Sequence, residues 1–232
     1  MGKVIRFQFT KGSEVRFLSH LDLLRTMERA LRRAKLPMAY SEGFSPRPVM
    51  AFGFALPVGV LSEAEYGDFE FSEIFDPQEF MTIYNKHLPK GLKVVEAERL
   101  PEGASSLMKK INAAKYEVLL PNKEAKELES RWQFLRGQDT FFVQRETKRG
   151  VRELDILPFL YDVSLQGSRH DGVIIECVCA LGNEGNLRIE ELGALLNFNP
   201  KEVIITRTGQ LIKMNNHYGL PMGNRGLKWK ES

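Results

Sequence analysis

FLSHLDLLRTMERALRRAKLPMAYSEGFSPRPVMAFGFALPVGVLSEAEYGDFEF, running from Phe17 to Phe71, is the stretch whose reading decides the fold. Ser19-His20-Leu21-Asp22 has the spacing of a capping box, and it predicts a helix from Ser19 to about Lys35. At about 100° per residue, Leu23, Leu24, Met27, Ala30, Leu31 and Ala34 form one apolar stripe, so this helix buries one side. Pro37 ends it. Gly43, Pro46 and Pro48 mark a loop, and Val49–Leu56, with Phe52 and Phe54, reads as a strand. Pro57-Val58-Gly59 turns the chain. Tyr66–Phe71 then alternates, with Phe69 and Phe71 inward.

The flanks complete the unit. Lys3–Thr10 alternates Ile5, Phe7 and Phe9 against Arg6 and Gln8, the pattern of a half-buried strand. Asp76-Pro77-Gln78-Glu79 places a cap, a first-position proline and an acid in order, which predicts a second helix. Phe80, Ile83, Tyr84 and His87 give that helix one face, and Pro89-Lys90-Gly91 stops it. Leu92–Glu98 reads as the last strand. The order is βαββαβ, a ferredoxin-like arrangement.

A looser version follows. Tyr116–Leu120 reads as a strand, and Asn122 as the cap of a helix carrying Ala125, Leu128, Trp132 and Leu135. Phe141–Glu146 is a strand, followed by an insertion at Lys148–Leu160. Asp162–Gln166 and Val173–Ala180 read as a hairpin, Asn186 as the cap of a helix through Leu196, and Val203–Arg207 as a final strand. The expected class is therefore α+β, with two ferredoxin-like halves in tandem. Residues 1–100 form the first half and 101–113 a connector with a short helix near Leu107–Ile111. Residues 114–214 form the second half, and 215–232 a mobile basic tail.

The chain has 232 residues and a net charge of +3, too small by itself to mark a nucleic-acid-binding protein. The distribution says more. Residues 1–50 hold ten Lys/Arg against four Asp/Glu, whereas residues 51–100 hold four against nine. Charge segregated in this way shapes local fields that total charge conceals. No run approaches the ~18 uninterrupted apolar residues of a membrane span, and the start has no signal-peptide core. Cys177 and Cys179 are the two cysteines. Placed one residue apart on one strand face, they read as small buried hydrophobes, and a cytoplasmic, reducing location is expected.

Candidate binding residues cluster early. Arg25, Arg29 and Arg32 fall opposite the apolar stripe with Arg33 beside them. Arginines one turn apart suit a phosphate backbone; they equally suit a solvated face, with Glu28 pairing to Arg32. Tyr40, Phe44 and Arg47 share a proline-stiffened loop whose planar groups could stack on bases, or Phe44 could plug the core. His20, at the first turn, is the single candidate general acid/base, near Ser41 or Tyr40; a hydrogen-bonded structural histidine is the plainer alternative. Asp22 is explained by capping. The outward strand positions Arg6, Gln8, Asp68 and Glu70 are not the aromatics that sheet-type RNA readers use, so any RNA is expected on helices and loops. Glu63, Glu65, Asp68 and Glu70 read as a solvated acidic edge. Dispersed histidines (His87, His170, His217) form no metal-ligand cluster, and no phosphate-loop motif occurs.

Ser19-His20-Leu21-Asp22, the arginine-rich helix, Pro37, Tyr40-Ser41-x-Gly43-Phe44-Ser45-Pro46 and Pro57-x-Gly59 together resemble the radical SAM-linked protein family, bacterial domains found beside or fused to radical SAM proteins. The match is dense over the first third of the chain and diffuse afterwards. This resemblance implies an accessory or substrate-presenting role toward a radical SAM enzyme but supplies no substrate; RNA or a translation-related macromolecule is expected from the arginine face and its neighbouring loop, which would also suit a simple RNA-binding module. The chain has no Cys-x-x-x-Cys-x-x-Cys, so the iron–sulfur cluster and SAM are expected on the partner and no cofactor in this chain. A second likeness, at the level of fold alone, is to CRISPR repeat-processing endoribonucleases; there His20 would serve metal-independent cleavage.

Overall fold

A computed structural model of the chain describes residues 2–121, 125–147, 150–169, 172–215 and 217–223. The expected cap Asn122, His170 and most of the expected tail lie outside these residues. The protein is α+β, with mostly antiparallel sheet and few helices. It divides into two compact units, Met1–Asn112 with Gly209–Ser232, and Ala113–Thr208.

The first unit runs β1 (Val4–Lys11), α1 (His20–Ala34), β2 (Met50–Phe52), β3 (Leu61–Glu70), α2 (Pro77–Asn85), β4 (Leu92–Arg99) and the short α3 (Leu107–Lys110). β1 lies between β4 and β3, and β2 adds to β3, all antiparallel. Both caps read from the sequence form. The Ser19 hydroxyl accepts the Asp22 N–H at 3.2 Å, and the Asp76 carboxylate accepts from Gln78 and Glu79 at 2.9 Å each. Lys35 closes α1 in the left-handed conformation. Ile5, Phe7 and Phe9 meet Leu23, Met27, Ala30, Leu31, Phe69, Phe71, Phe80 and Tyr84 in one buried core. Gly67 is required there, because a Cβ would stand 2.5 Å from the Phe7 ring.

The opposite sheet face departs from expectation. Arg6 is not outward but 1% exposed. Its guanidinium donates to both Asp68 carboxylate oxygens at 2.8 Å, and to the Ser105 and Pro221 carbonyls at 3.0 Å. Two segments remote in sequence cover the face that alternation assigned to water. Glu65 is likewise no solvated edge residue: it is buried and accepts the Ser62 hydroxyl at 2.6 Å. The strand expected over Val49–Leu56 shrinks to β2, because the Phe54 N–H goes to the Gln210 side chain.

The second unit runs β5 (Ala113–Pro121), α4 (Ala125–Arg136), β6 (Phe142–Thr147), β7 (Gly150–Asp155), β8 (Leu160–Arg169), β9 (Gly172–Ala180), α5 (Ile189–Leu196) and the start of β10 (Ile204–Met214). β9 pairs antiparallel with both β5 and β8. The expected insertion carries β7, which pairs with β6 as a separate two-stranded sheet. Arg145 anchors this ribbon, donating to both Glu191 oxygens at 2.7 and 2.6 Å and to the Asn186 carbonyl. Glu191 also accepts the Arg188 N–H, so α5 is capped at Arg188 rather than Asn186. β10 passes back into the first unit, where β11 (His217–Gly219) pairs with it. The start of the expected tail is thus a strand.

Cys177 and Cys179 are buried free thiols, and burial pushes both upward in pKa. Thiolate is the reactive form. Iodoacetamide at pH 8 should therefore label neither in the native protein and both in denaturant; native labelling within minutes would show that β9 opens.

Candidate nucleic-acid interface

Residues 40–48 form a closed loop, not a core plug. The Val49 N–H reaches the Ala39 carbonyl at 2.9 Å, Tyr40 bridges Pro48, and the Ser41 N–H reaches the Arg47 carbonyl at 2.9 Å. The Ser41 hydroxyl accepts the Arg47 N–H at 3.1 Å. Gly43 takes φ +116° at the tip, a conformation that side chains rarely adopt. Ser41 through Arg47 are exposed. Phe44 is wholly in water and Tyr40 is half exposed. Burying a phenylalanine is worth about 1.5–3 kcal/mol, and the tied stem withholds Phe44 from that gain.

The arginine side of α1 is exposed as read. Arg25 lies 3.5 Å from Asp22, Arg29 contacts Thr26 at 3.4 Å, and Arg32 pairs with Glu28 at 2.8 Å. Arg33 donates to the His87 carbonyl at 2.7 Å. Exposed pairs of this kind are worth about 0–1 kcal/mol, so a phosphate can displace them at little cost. The structure thus brings Arg25, Arg29, Arg32 and Arg33 onto one helix surface and Tyr40, Phe44 and Arg47 onto one loop of the same unit.

His20 is half-buried, and its ring forms no hydrogen bond to Ser41, Tyr40 or any other described residue. The structural role expected of it, as a hydrogen-bonded histidine, is not realised among these residues. No group of three or more His, Cys, Asp or Glu gathers among the described residues.

Sequence reasoning passed over the approach to α1. The buried Lys11 ammonium donates to the Arg16 and Leu18 carbonyls at 3.0 and 3.1 Å. Between those anchors Phe17 is 70% exposed, and Leu21 on the first turn is 62% exposed. Leu21 was a readable exception, an apolar residue four positions before Arg25 on the wet stripe. Phe17 sits in an aperiodic connector, where no pattern marks it.

A cavity of about 470 Å³ opens on the other sheet face, lined in part by Ala51, Asp68, Glu70, Pro101 and Glu102. Asp68, Glu70 and Glu102 outnumber Lys3 in its lining, a balance that disfavours phosphate there.

No curated protein matches the chain. Among solved structures, one chain of "Crystal Structure of a Cbf5-Nop10-Gar1 Complex" is similar over 88% of this chain at 11% identity, with a TM-score of 0.43. At that level the likeness carries no argument. This chain spans about half of that one, 47% of its length. A family model described as "Uncharacterized protein conserved in bacteria (DUF2344)" matches residues 4–189, well over half of the sequence, and the chain belongs to that family.

Proposed function

We propose that this chain is an RNA-binding accessory protein, without catalysis of its own, that presents its ligand to a separate radical SAM enzyme. The observation that carries the RNA reading is the tied 40–48 loop, which holds Phe44 wholly in water beside Arg47 and follows directly on the exposed arginine surface of α1. Aromatic planes with neighbouring cations bind single-stranded RNA by stacking and charge, without base-specific hydrogen bonds. The enzyme half of the reading rests on the sequence resemblance over Phe17–Phe71. Each unit is further read as a ferredoxin-like half. Two strand orders support this, β4-β1-β3 with β2 on β3, and β5 beside β9 with β8 beyond it. The ribonuclease reading is not carried forward, because none of the described residues is hydrogen-bonded to His20 to set its tautomer.

The test is fluorescence anisotropy with a labelled uridine dodecamer across a salt series. Wild type should bind with an affinity that falls as salt rises. Arg25→Ala/Arg29→Ala/Arg32→Ala should flatten that dependence by up to ~2 log units per log unit of salt, the value for three single-strand phosphate contacts. An unchanged slope removes the arginine surface from the proposal, and no wild-type binding removes RNA. Affinity purification from the native cell should bring down a cluster-bearing enzyme; its absence would sink the accessory role.

A further inference from the structure

We propose that Arg16, Phe17 and Leu21 form a nucleobase platform at the N-terminal end of the α1 arginine ridge, taking one base and its adjoining phosphate from the same RNA strand. The inference rests on the RNA reading above and extends it to residues outside that surface.

Three observations converge. First, the Arg16 guanidinium lies 4.6 Å from the centre of the Phe17 ring, yet most of the ring remains in solvent. An arginine already stacked on an aromatic is a preformed cation–π unit whose remaining aromatic surface is available to a base. Second, the Arg16 Nε is screened from solvent without a hydrogen-bond acceptor among the described residues. That atom is out of a phosphate's reach, but no ion pair to the described residues neutralises the half-buried Arg16 side chain, so its charge is left for a phosphate where the rest of it meets solvent. Third, the segment is fixed. Lys11 holds the Arg16 and Leu18 carbonyls, and the Gly59 N–H reaches the Arg16 carbonyl at 2.9 Å. Phe17 therefore cannot fold inward by a simple loop motion, and its presentation carries no further ordering cost on binding.

Register along the helix supplies the continuity. Leu21, Arg25, Arg29 and Arg32 recur at intervals of four, four and three, which places them on one stripe. At 1.5 Å per residue that stripe is roughly 16 Å long. The apolar platform stands at the start of that stripe, with Phe17 in the connector before α1 and Leu21 on its first turn.

The experiment uses the full chain and the same uridine dodecamer. Phe17→Ala and Phe17→Leu should each raise Kd roughly 5- to 150-fold, the loss of one base–aromatic stack. Phe17→Trp should retain wild-type affinity and add a tryptophan signal that RNA quenches beyond any quenching in wild type. Melting temperatures should stay at the wild-type value, since the ring is exposed. If the wild type binds RNA and the arginine triple variant weakens it, but both Phe17→Ala and Phe17→Leu bind as wild type, the platform is refuted while the ridge survives. Equal losses for Phe17→Trp and Phe17→Ala refute stacking. A Phe17→Leu variant that binds as tightly as wild type while Phe17→Ala loses affinity reduces the contact to apolar packing and also refutes stacking. Absence of wild-type binding overturns the proposed function and this inference together.

Discussion

Arg6→Ala should lower the unfolding free energy of the first unit by about 3–5 kcal/mol, the cost of removing one partner from a buried ion pair. The side chain is 1% exposed and supplies four hydrogen bonds: two to Asp68, one to Ser105 and one to Pro221. Its loss strands a carboxylate that is only 12% exposed, together with two carbonyls. Asp68 then has to draw its hydration from the cavity it borders. Replacing both members by apolar residues, Arg6→Met with Asp68→Leu, should recover most of the loss, because neither variant leaves a charge behind. Urea unfolding monitored by circular dichroism measures both. Limited proteolysis supplies an independent readout, since the Arg6→Ala chain should be cut sooner within residues 101–106, where Ser105 has lost its anchor. A loss below about 1 kcal/mol would falsify the buried pair, because a solvated pair is worth no more than that.

Arg6 also marks where the sequence stopped being legible. Alternation along β1 correctly put Ile5, Phe7 and Phe9 in the core, and the arithmetic of period two then sent Arg6 to the other face. Whether that face is wet is not a property of β1. It depends on Ser105 and Pro221, which arrive from 99 and 215 residues away. Local signals fared better. Ser19 and Asp76 cap their helices as read, because a cap needs only its next three residues. The ribbon of β6 and β7 was half seen. Phe142 and Val151 are both exposed, so β7 carries no inward stripe for periodicity to find. The arginine surface was visible from the helical repeat alone. By contrast, the choice between an exposed and a buried Phe44 rested on the stem contacts of Ser41 and Arg47, which no spacing encodes. Phe17 was hidden for the same reason, its exposure being set by the ammonium of Lys11 reaching across from β1.

Phe69→Ala should be the most damaging single change in the core, at about 3–5 kcal/mol, a large share of the 5–15 kcal/mol typical of a whole domain. The ring is fully buried and centred 4.4 Å from Phe7, 5.7 Å from Tyr84, and 5.9 Å from both Phe52 and Phe80. These neighbours come from several elements, so they cannot collapse together into the vacated space. Phe69→Leu keeps most of the volume and should cost less, which separates a cavity effect from loss of ring contacts. The change reaches the proposed interface through α1. Met27 on its inner side belongs to the same cluster, and the Tyr84 hydroxyl donates to the Met27 carbonyl at 2.9 Å. Arg25, Arg29 and Arg32 nevertheless make their side-chain contacts to Asp22, Thr26 and Glu28, not to these rings. RNA affinity measured well below the melting temperature should therefore stay within about twofold of wild type, and binding should fail only as the unfolded fraction grows. If Phe69→Ala instead weakens binding tenfold while the circular dichroism spectrum stays native, the position of α1 on its core tunes the arginine ridge. The two faces of that helix would then have to be treated as one coupled device.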